Sequence, residues 1–233
     1  MAVHRAYRYF PGLMERTQIL LILPVLLFSV VLHEFAHGWV AKREGDNTAA
    51  ALGRLTLNPI PHIDLFGSIL FPLLLWVSNA GVLFGWAKPV PVDPRNFRNY
   101  RRGDILVSLA GITANLLLAV CLTLAIIAIL HLERLIPAGA STFRLLQEMA
   151  VYGLRINLVL AFFNLIPIPP LDGSHVLYHL LPPRLGMAYR ELGRYGMLIL
   201  LVLLMFARPV LFIFLWPVEL LWNAAQAFIS LWM

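Results

Sequence analysis

Two histidines, His33 and His37, stand one helical turn apart, and Glu34 directly follows the first. On an α-helix, positions i and i+4 share a face. Two imidazoles so placed can hold one zinc ion, and the carboxylate between them can act on a water beside the metal. A five-residue pattern of this kind also arises by chance. Its setting argues against chance, because all three groups lie inside the apolar run Gln18 to Ala41. A charged, unpaired side chain at the centre of a bilayer costs about 2.5–3.5 kcal/mol on insertion scales. A metal gives such groups a reason to be there.

Two histidines do not complete a catalytic zinc site, which usually takes three protein ligands and leaves a fourth position open. The best third candidate is Asp172. It follows a second apolar run, Val151 to Ile166, and the proline-rich break Pro167-Ile168-Pro169-Pro170. An Asp-Gly pair alone is more often a turn; one placed directly after such a break is more suggestive. His175 and His179 share the same i, i+4 spacing and offer a rival metal pair with Asp172. They have no adjacent Glu to serve as a base, so packing at the membrane interface is the preferred reading. His62 and Asp64 could be extra polar groups near the site, but loop packing is the preferred reading.

Composition says what must position these residues. Of the 233 residues, 60% are hydrophobic and 13% charged, against about 25% charged in an average soluble domain. A soluble fold cannot hide that much apolar surface, so the lipid bilayer is part of the solvent. The net charge of +6 comes from basic residues in loops between apolar runs, with no cluster suited to phosphates. That pattern orients a chain in a membrane and gives no support for a nucleic-acid partner. The single Cys121 excludes an internal disulfide. The first apolar run is not expected to be a cleaved leader, since it carries His33, Glu34 and His37.

The reading along the chain is a polar N-terminal segment (1–17), a core (18–180) and C-terminal transmembrane helices (181–233). Gln18 to Ala41 and Ile105 to Leu130 are spans. Arg54 to Asn58 alternates polar and apolar and suggests a short strand or hairpin. Residues 81–103 are basic and proline-rich, hence a loop, and 131–149 form a near-neutral connection. Leu198 to Phe206 and Val210 to Ile229 give one or two further helices, divided at Arg208-Pro209. The expected fold is an all-α polytopic membrane protein. Three core transmembrane helices surround a zinc site, with a small β-hairpin or re-entrant region and one or two extra C-terminal helices.

These elements in this order resemble the site-2 protease family of intramembrane zinc metalloproteases, in its compact form without a PDZ domain. The resemblance rests on His33-Glu34-Phe35-Ala36-His37-Gly38-Trp39, on Leu52 to Pro59, on Gly85-Trp86-Ala87-Lys88-Pro89-Val90-Pro91-Val92, and on Asn164-Leu165-Ile166-Pro167 leading to Leu171-Asp172-Gly173. It implies that His33, His37 and Asp172 bind one zinc per chain and that Glu34 is the catalytic base. It also implies a transmembrane protein substrate, cut within or beside the bilayer of a prokaryotic cell. The family's Gly-Pro-x-x-Asn-like element stands here as Gly111-Ile112-Thr113-Ala114-Asn115, with Ile112 replacing the proline. The resemblance gives Asn115 a role at the substrate carbonyl; an interhelical hydrogen bond is the equal alternative. The position of His175 is often arginine in the family.

Whether the ligands can meet is a question of topology. His33 and His37 lie about 6–12 Å inside one membrane face, counting 1.5 Å per residue back from Ala41. If Phe66 to Val77 crossed, Asp172 would emerge on the other face. Twelve residues make about 18 Å of helix, short of a hydrocarbon core of about 30 Å. Residues 66–80 are therefore predicted to re-enter or lie at the interface, which brings Asp172 and Asn115 to the depth of the histidines. The basic loop 81–103 and Arg184, Arg190 and Arg194 make that face cytoplasmic. The basic N-terminus (Arg5, Arg8, Arg16) then falls outside, against the same rule. An exposed strand edge at Arg54 to Asn58 is one way to pair an unwound substrate. A transporter or channel would also place His, Glu, Asp and Asn in the membrane, but the chain shows no paired halves. An inert membrane protein with a structural metal is a third class; the presence of all four expected chemical groups argues against it.

Overall fold

A computed structural model describes residues 16–78, 85–206 and 208–233. Eight α-helices carry the described fold, apart from one isolated turn at Thr48–Ala51: α1 (Arg16–Glu44), α2 (Phe71–Val77), α3 (Tyr100–Leu135), α4 (Ala140–Asn164), α5 (Asp172–Leu180), α6 (Pro183–Glu191), α7 (Gly196–Phe206) and α8 (Arg208–Ser230). Among the described residues four helical stretches are long and apolar enough to cross a membrane: Leu21–Glu44, Tyr100–Leu135, Pro137–Asn164 and Pro209–Ser230. The chain is an integral, polytopic helical membrane protein.

The helices outrun the apolar runs that announce them. α3 continues to Leu135, and α4 begins at Ala140 instead of near Val151. The connection expected at 131–149 thus shrinks to a tight turn at 136–139. Glu133 accepts from Gln147 at 3.0 Å and pairs with Arg144 at 3.5 Å across that turn. Helix persists there because these polar side chains can face headgroups and water while the backbone keeps its own bonds.

α3 and α4 form the central pair, and α1 packs against both. Ala119 and Ile126 of α3, Ala150, Leu154 and Leu158 of α4, and Val218, Trp222 and Ile229 of α8 make one buried cluster. Small residues let backbones approach where lipid removes any hydrophobic drive between helices. Polar bonds add fixed points. Asn157 Nδ2 donates to Ser29 Oγ at 2.8 Å, tying α4 to α1. Arg155 of α4 and Glu219 of α8 pair at 2.9 Å, well within both spans. The second C-terminal element is one span: Leu200 of α7 and Leu211 of α8 pack with Ile166 and Leu171, and α8 then descends beside α4.

Two expectations about residues 42–103 fare differently. The short strand or β-hairpin at Arg54–Asn58 does not form; these residues are turn and irregular backbone, and no strand occurs among the described residues. The neighbouring chain cannot supply a ladder, because Pro89 and Pro91 lack the N–H groups a strand needs. Arg54 instead donates through Nη2 to the carbonyls of Lys88 and Pro89, each at 3.1 Å. His62, buried, bonds the Thr56 carbonyl at 3.0 Å, and Asp64 caps the next helical turn by accepting from Gly67 N–H at 2.6 Å. Both are loop-packing groups, as their sequence context suggested.

The segment from Leu65 is a π-helical turn to Leu70 followed by α2. Residues 79–84 fall outside the described ones, so the far part of the 66–80 segment does too. The returning chain bonds the start of the excursion: Trp86 N–H donates to Gly67 O at 3.0 Å, Ser68 Oγ to Trp86 O at 2.9 Å, and Lys88 N–H to His62 O at 2.9 Å. The excursion therefore ends on the side where it began. That geometry puts the C-terminal end of α1, the N-terminal end of α3 and α5 at one end of the bundle.

Candidate metal centre

Each imidazole on α1 is fixed by α3. His37 Nδ1 donates to the Val107 carbonyl at 2.7 Å, and His33 Nδ1 stands 3.0 Å from Asn115 Oδ1. A carbonyl can only accept, so Nδ1 of His37 carries the proton and Nε2 of the neutral ring carries a lone pair. The same holds for His33 against Oδ1 of Asn115. Gly111 lies between these two contacts. A Cβ there would fall 2.5 Å from His33 Cε1 and from His37 Nε2, so only glycine leaves room for the two rings.

Asp172 comes from the other side. α4 ends at Asn164, the prolines at 167, 169 and 170 prevent its continuation, and α5 starts at Asp172. A Cβ on Gly173 would meet the Leu165 carbonyl oxygen at 2.1 Å, so glycine lets the first turn of α5 fold against the end of α4. Asp172 Oδ2 then lies 3.2 Å from His33 Nε2 and 3.4 Å from His37 Nε2, while the two Nε2 atoms are 2.9 Å apart.

The donor set fits a cation. Ligands at about 2.0–2.1 Å in a tetrahedron sit roughly 3.3 Å from one another, and the three separations here bracket that value. Two imidazole lone pairs and a carboxylate facing each other would repel without positive charge between them. Asp172 Oδ2 is buried and makes no hydrogen bond. Among the described residues, this is the one group of three or more His, Cys, Asp or Glu side chains whose ligand atoms all lie within 4.8 Å of one another.

Glu34 stands beside the pair, half-buried, and its Oε2 accepts from the backbone N–H of Val90 at 2.8 Å. Asn115 reaches the site through His33, and its Nδ2 is buried without a hydrogen-bond partner. His175 and His179 turn away from the centre to Asp104 on the first turns of α3, at 3.3 Å and 2.7 Å. Sequence reading passed over Asp104. The available signal was its helical register, since Asp104, Gly111 and Asn115 are spaced by seven and four residues and so share a face.

The fold is a polytopic membrane bundle, and within it two histidines and a carboxylate come together as a group that could hold a metal ion. The chain belongs to peptidase family M50, the site-2 protease family, whose model matches residues 21–207. It is of the zinc metalloprotease class. It is 40% identical over 192 residues to "Putative zinc metalloprotease YwhC" of Bacillus subtilis, covering 82% of each chain. It is 34% identical over 187 residues to "Putative zinc metalloprotease Rip2" of Mycolicibacterium smegmatis, covering 79% of this chain and 66% of that one. The Rip2 protein of Mycobacterium tuberculosis strain H37Rv is also 34% identical, over 186 residues. No solved structure matches the chain.

Proposed function

We propose that this chain hydrolyses peptide bonds within or beside transmembrane segments of membrane-protein substrates, with one zinc held by His33, His37 and Asp172 and with Glu34 as general base. The observation that carries the reading is the convergence of three lone-pair donors at tetrahedral spacing, beside a carboxylate, inside an apolar bundle. When bound, zinc supplies Lewis-acid activation of water and of the peptide carbonyl.

The chain's own groups do the rest. Glu34 takes a proton from the attacking water and passes it to the leaving nitrogen. The Val90 N–H, bonded to Oε2, aims the carboxylate of Glu34. Val107 and Asn115 hold the two imidazoles in the tautomer that presents Nε2 to the centre. The free Nδ2 donor of Asn115 is placed to serve a substrate group once the site is filled. A substrate helix shields its own carbonyls, so it must unwind before cutting. The basic residues on loop 85–103 and around Arg184, Arg190 and Arg194 favour a cytoplasmic placement of this end.

The test is cleavage of a single-span substrate by the purified chain in detergent, with bound zinc measured in the same sample. Zinc near one per chain, and cutting abolished by a chelator and by Glu34→Gln while that variant keeps its zinc, is the expected result. Full activity in Glu34→Gln overturns the base assignment. Zinc without cutting on several substrates would favour an inert binding protein, and transport without cutting a channel.

A further inference from the structure

One face of α3 touches the helix of every metal-ligand candidate. Asn115 meets His33, the Val107 carbonyl meets His37, and Gly111 leaves space for both rings. A turn further toward the loop end, Asp104 meets the helix that begins with Asp172. Its Oδ2 lies 2.7 Å from His179 Nε2 and its Oδ1 3.3 Å from His175 Nδ1. The Asp104 and His179 side chains are 8% and 5% exposed, so this is an interior contact, whereas that of His175 is 52% exposed. α5 has few other holds. Gly173 lets its start lie close against the end of α4, and among the described residues α6 is the other helix it packs on most after α3.

We propose that Asp104 is a positioning residue: by gripping His175 and His179 it sets α5 so that Asp172 meets His33 and His37. This rests on the metal centre proposed above. Asp104 does for the carboxylate ligand what Val107 and Asn115 do for the two imidazoles, but through a helix instead of a direct bond. A carboxylate can accept from both imidazole N–H groups at once. An amide in its place would remove the negative charge that both imidazoles face.

The half of the grip made by His175 is sensitive to pH. The hydrogen bond to Asp104 raises the His175 pKa above its ordinary value; burial opposes this, the charges of Asp104 and Asp172 add to it, and Arg190 of α6 subtracts. His179, with Tyr100 and Tyr178 packed on its ring, completes the titratable surroundings. The ion pair is therefore full below the ordinary histidine range and is lost as pH rises through the raised value. An arginine at 175 would keep its charge throughout.

The experiment measures zinc affinity of the full chain in detergent by competition with a chromophoric chelator, from acid to mildly alkaline pH. Asp104→Asn is expected to bind zinc about 10–100-fold more weakly with unchanged helical circular dichroism, the loss typical of outer-shell partners. Asp104→Glu should recover much of it. The ratio of wild-type to His175→Arg affinity should fall as pH rises, since only the histidine discharges. Equal zinc affinity in wild type and Asp104→Asn overturns the positioning role. A pH-independent ratio for His175→Arg overturns the ionic part of the grip. A folded wild type that binds no zinc overturns the metal centre itself, and the positioning role falls with it.

Discussion

Val90 donates its backbone N–H to Glu34 Oε2 at 2.8 Å, although the two residues are 56 positions apart. Pro89 and Pro91 flank it and have no N–H, so Val90 is the lone backbone donor of that stretch. The residue before a proline is already extended, so Val90→Pro removes the donor with little change of backbone. A hydrogen bond to a charged group is worth about 1.5–3 kcal/mol. Val90→Pro should lower kcat/KM by roughly tenfold or more with zinc content intact, while Val90→Ala stays close to wild type. Equal kinetics in the two variants would remove the loop from the account of Glu34.

Gly111→Ala separates space from helix stability. Alanine in a helix interior is favoured over glycine by about 1 kcal/mol, so α3 itself gains. The new Cβ would nevertheless sit 2.5 Å from both rings. Zinc affinity and cleavage are expected to fall while thermal stability of the chelated protein does not. Wild-type zinc affinity in this variant would mean that α1 and α3 part easily at this level.

Asp172→Asn keeps the size of the proposed third ligand and removes its charge. Its loss should exceed the about 10–100-fold typical of outer-shell changes, read as zinc retained after dialysis against a chelator. His37→Ala should lose zinc as well, leaving the Val107 carbonyl facing a gap. If Asp172→Asn held zinc as tightly as wild type, another residue would have to be the third ligand.

Arg155 and Glu219 pair at 2.9 Å within two spans. A single charge left unpaired inside a span costs about 2.5–3.5 kcal/mol on insertion scales, whereas replacing both members with apolar residues leaves none. Glu219→Leu should lower the thermal midpoint in detergent more than the double variant Arg155→Leu/Glu219→Leu. The two single changes adding in the double variant would show that the pair contributes no coupling.

Much of this protein was legible in its residues one at a time. The apolar runs around His33 and Asn115, the break at Pro167–Pro170 and the division at Arg208–Pro209 follow from hydropathy and from proline's missing N–H, which act locally. The i, i+4 spacing of His33 and His37 put them on one face, and span parity with a short 66–80 segment brought Asp172 to their side. Periodicity failed at Arg54–Asn58, because a strand needs a partner and the adjacent chain carries Pro89 and Pro91. Helix ends at Leu135 and Ala140 were misplaced because hydropathy tracks lipid and not backbone bonding. Only the tertiary structure decided what orients the centre. Val90 against Glu34, Asn115 against His33 and Asp104 between His175 and His179 are contacts between distant residues, set by how α1, α3 and α5 pack. A hydrogen bond depends on position to within tenths of an ångström, and no local pattern in a sequence encodes that.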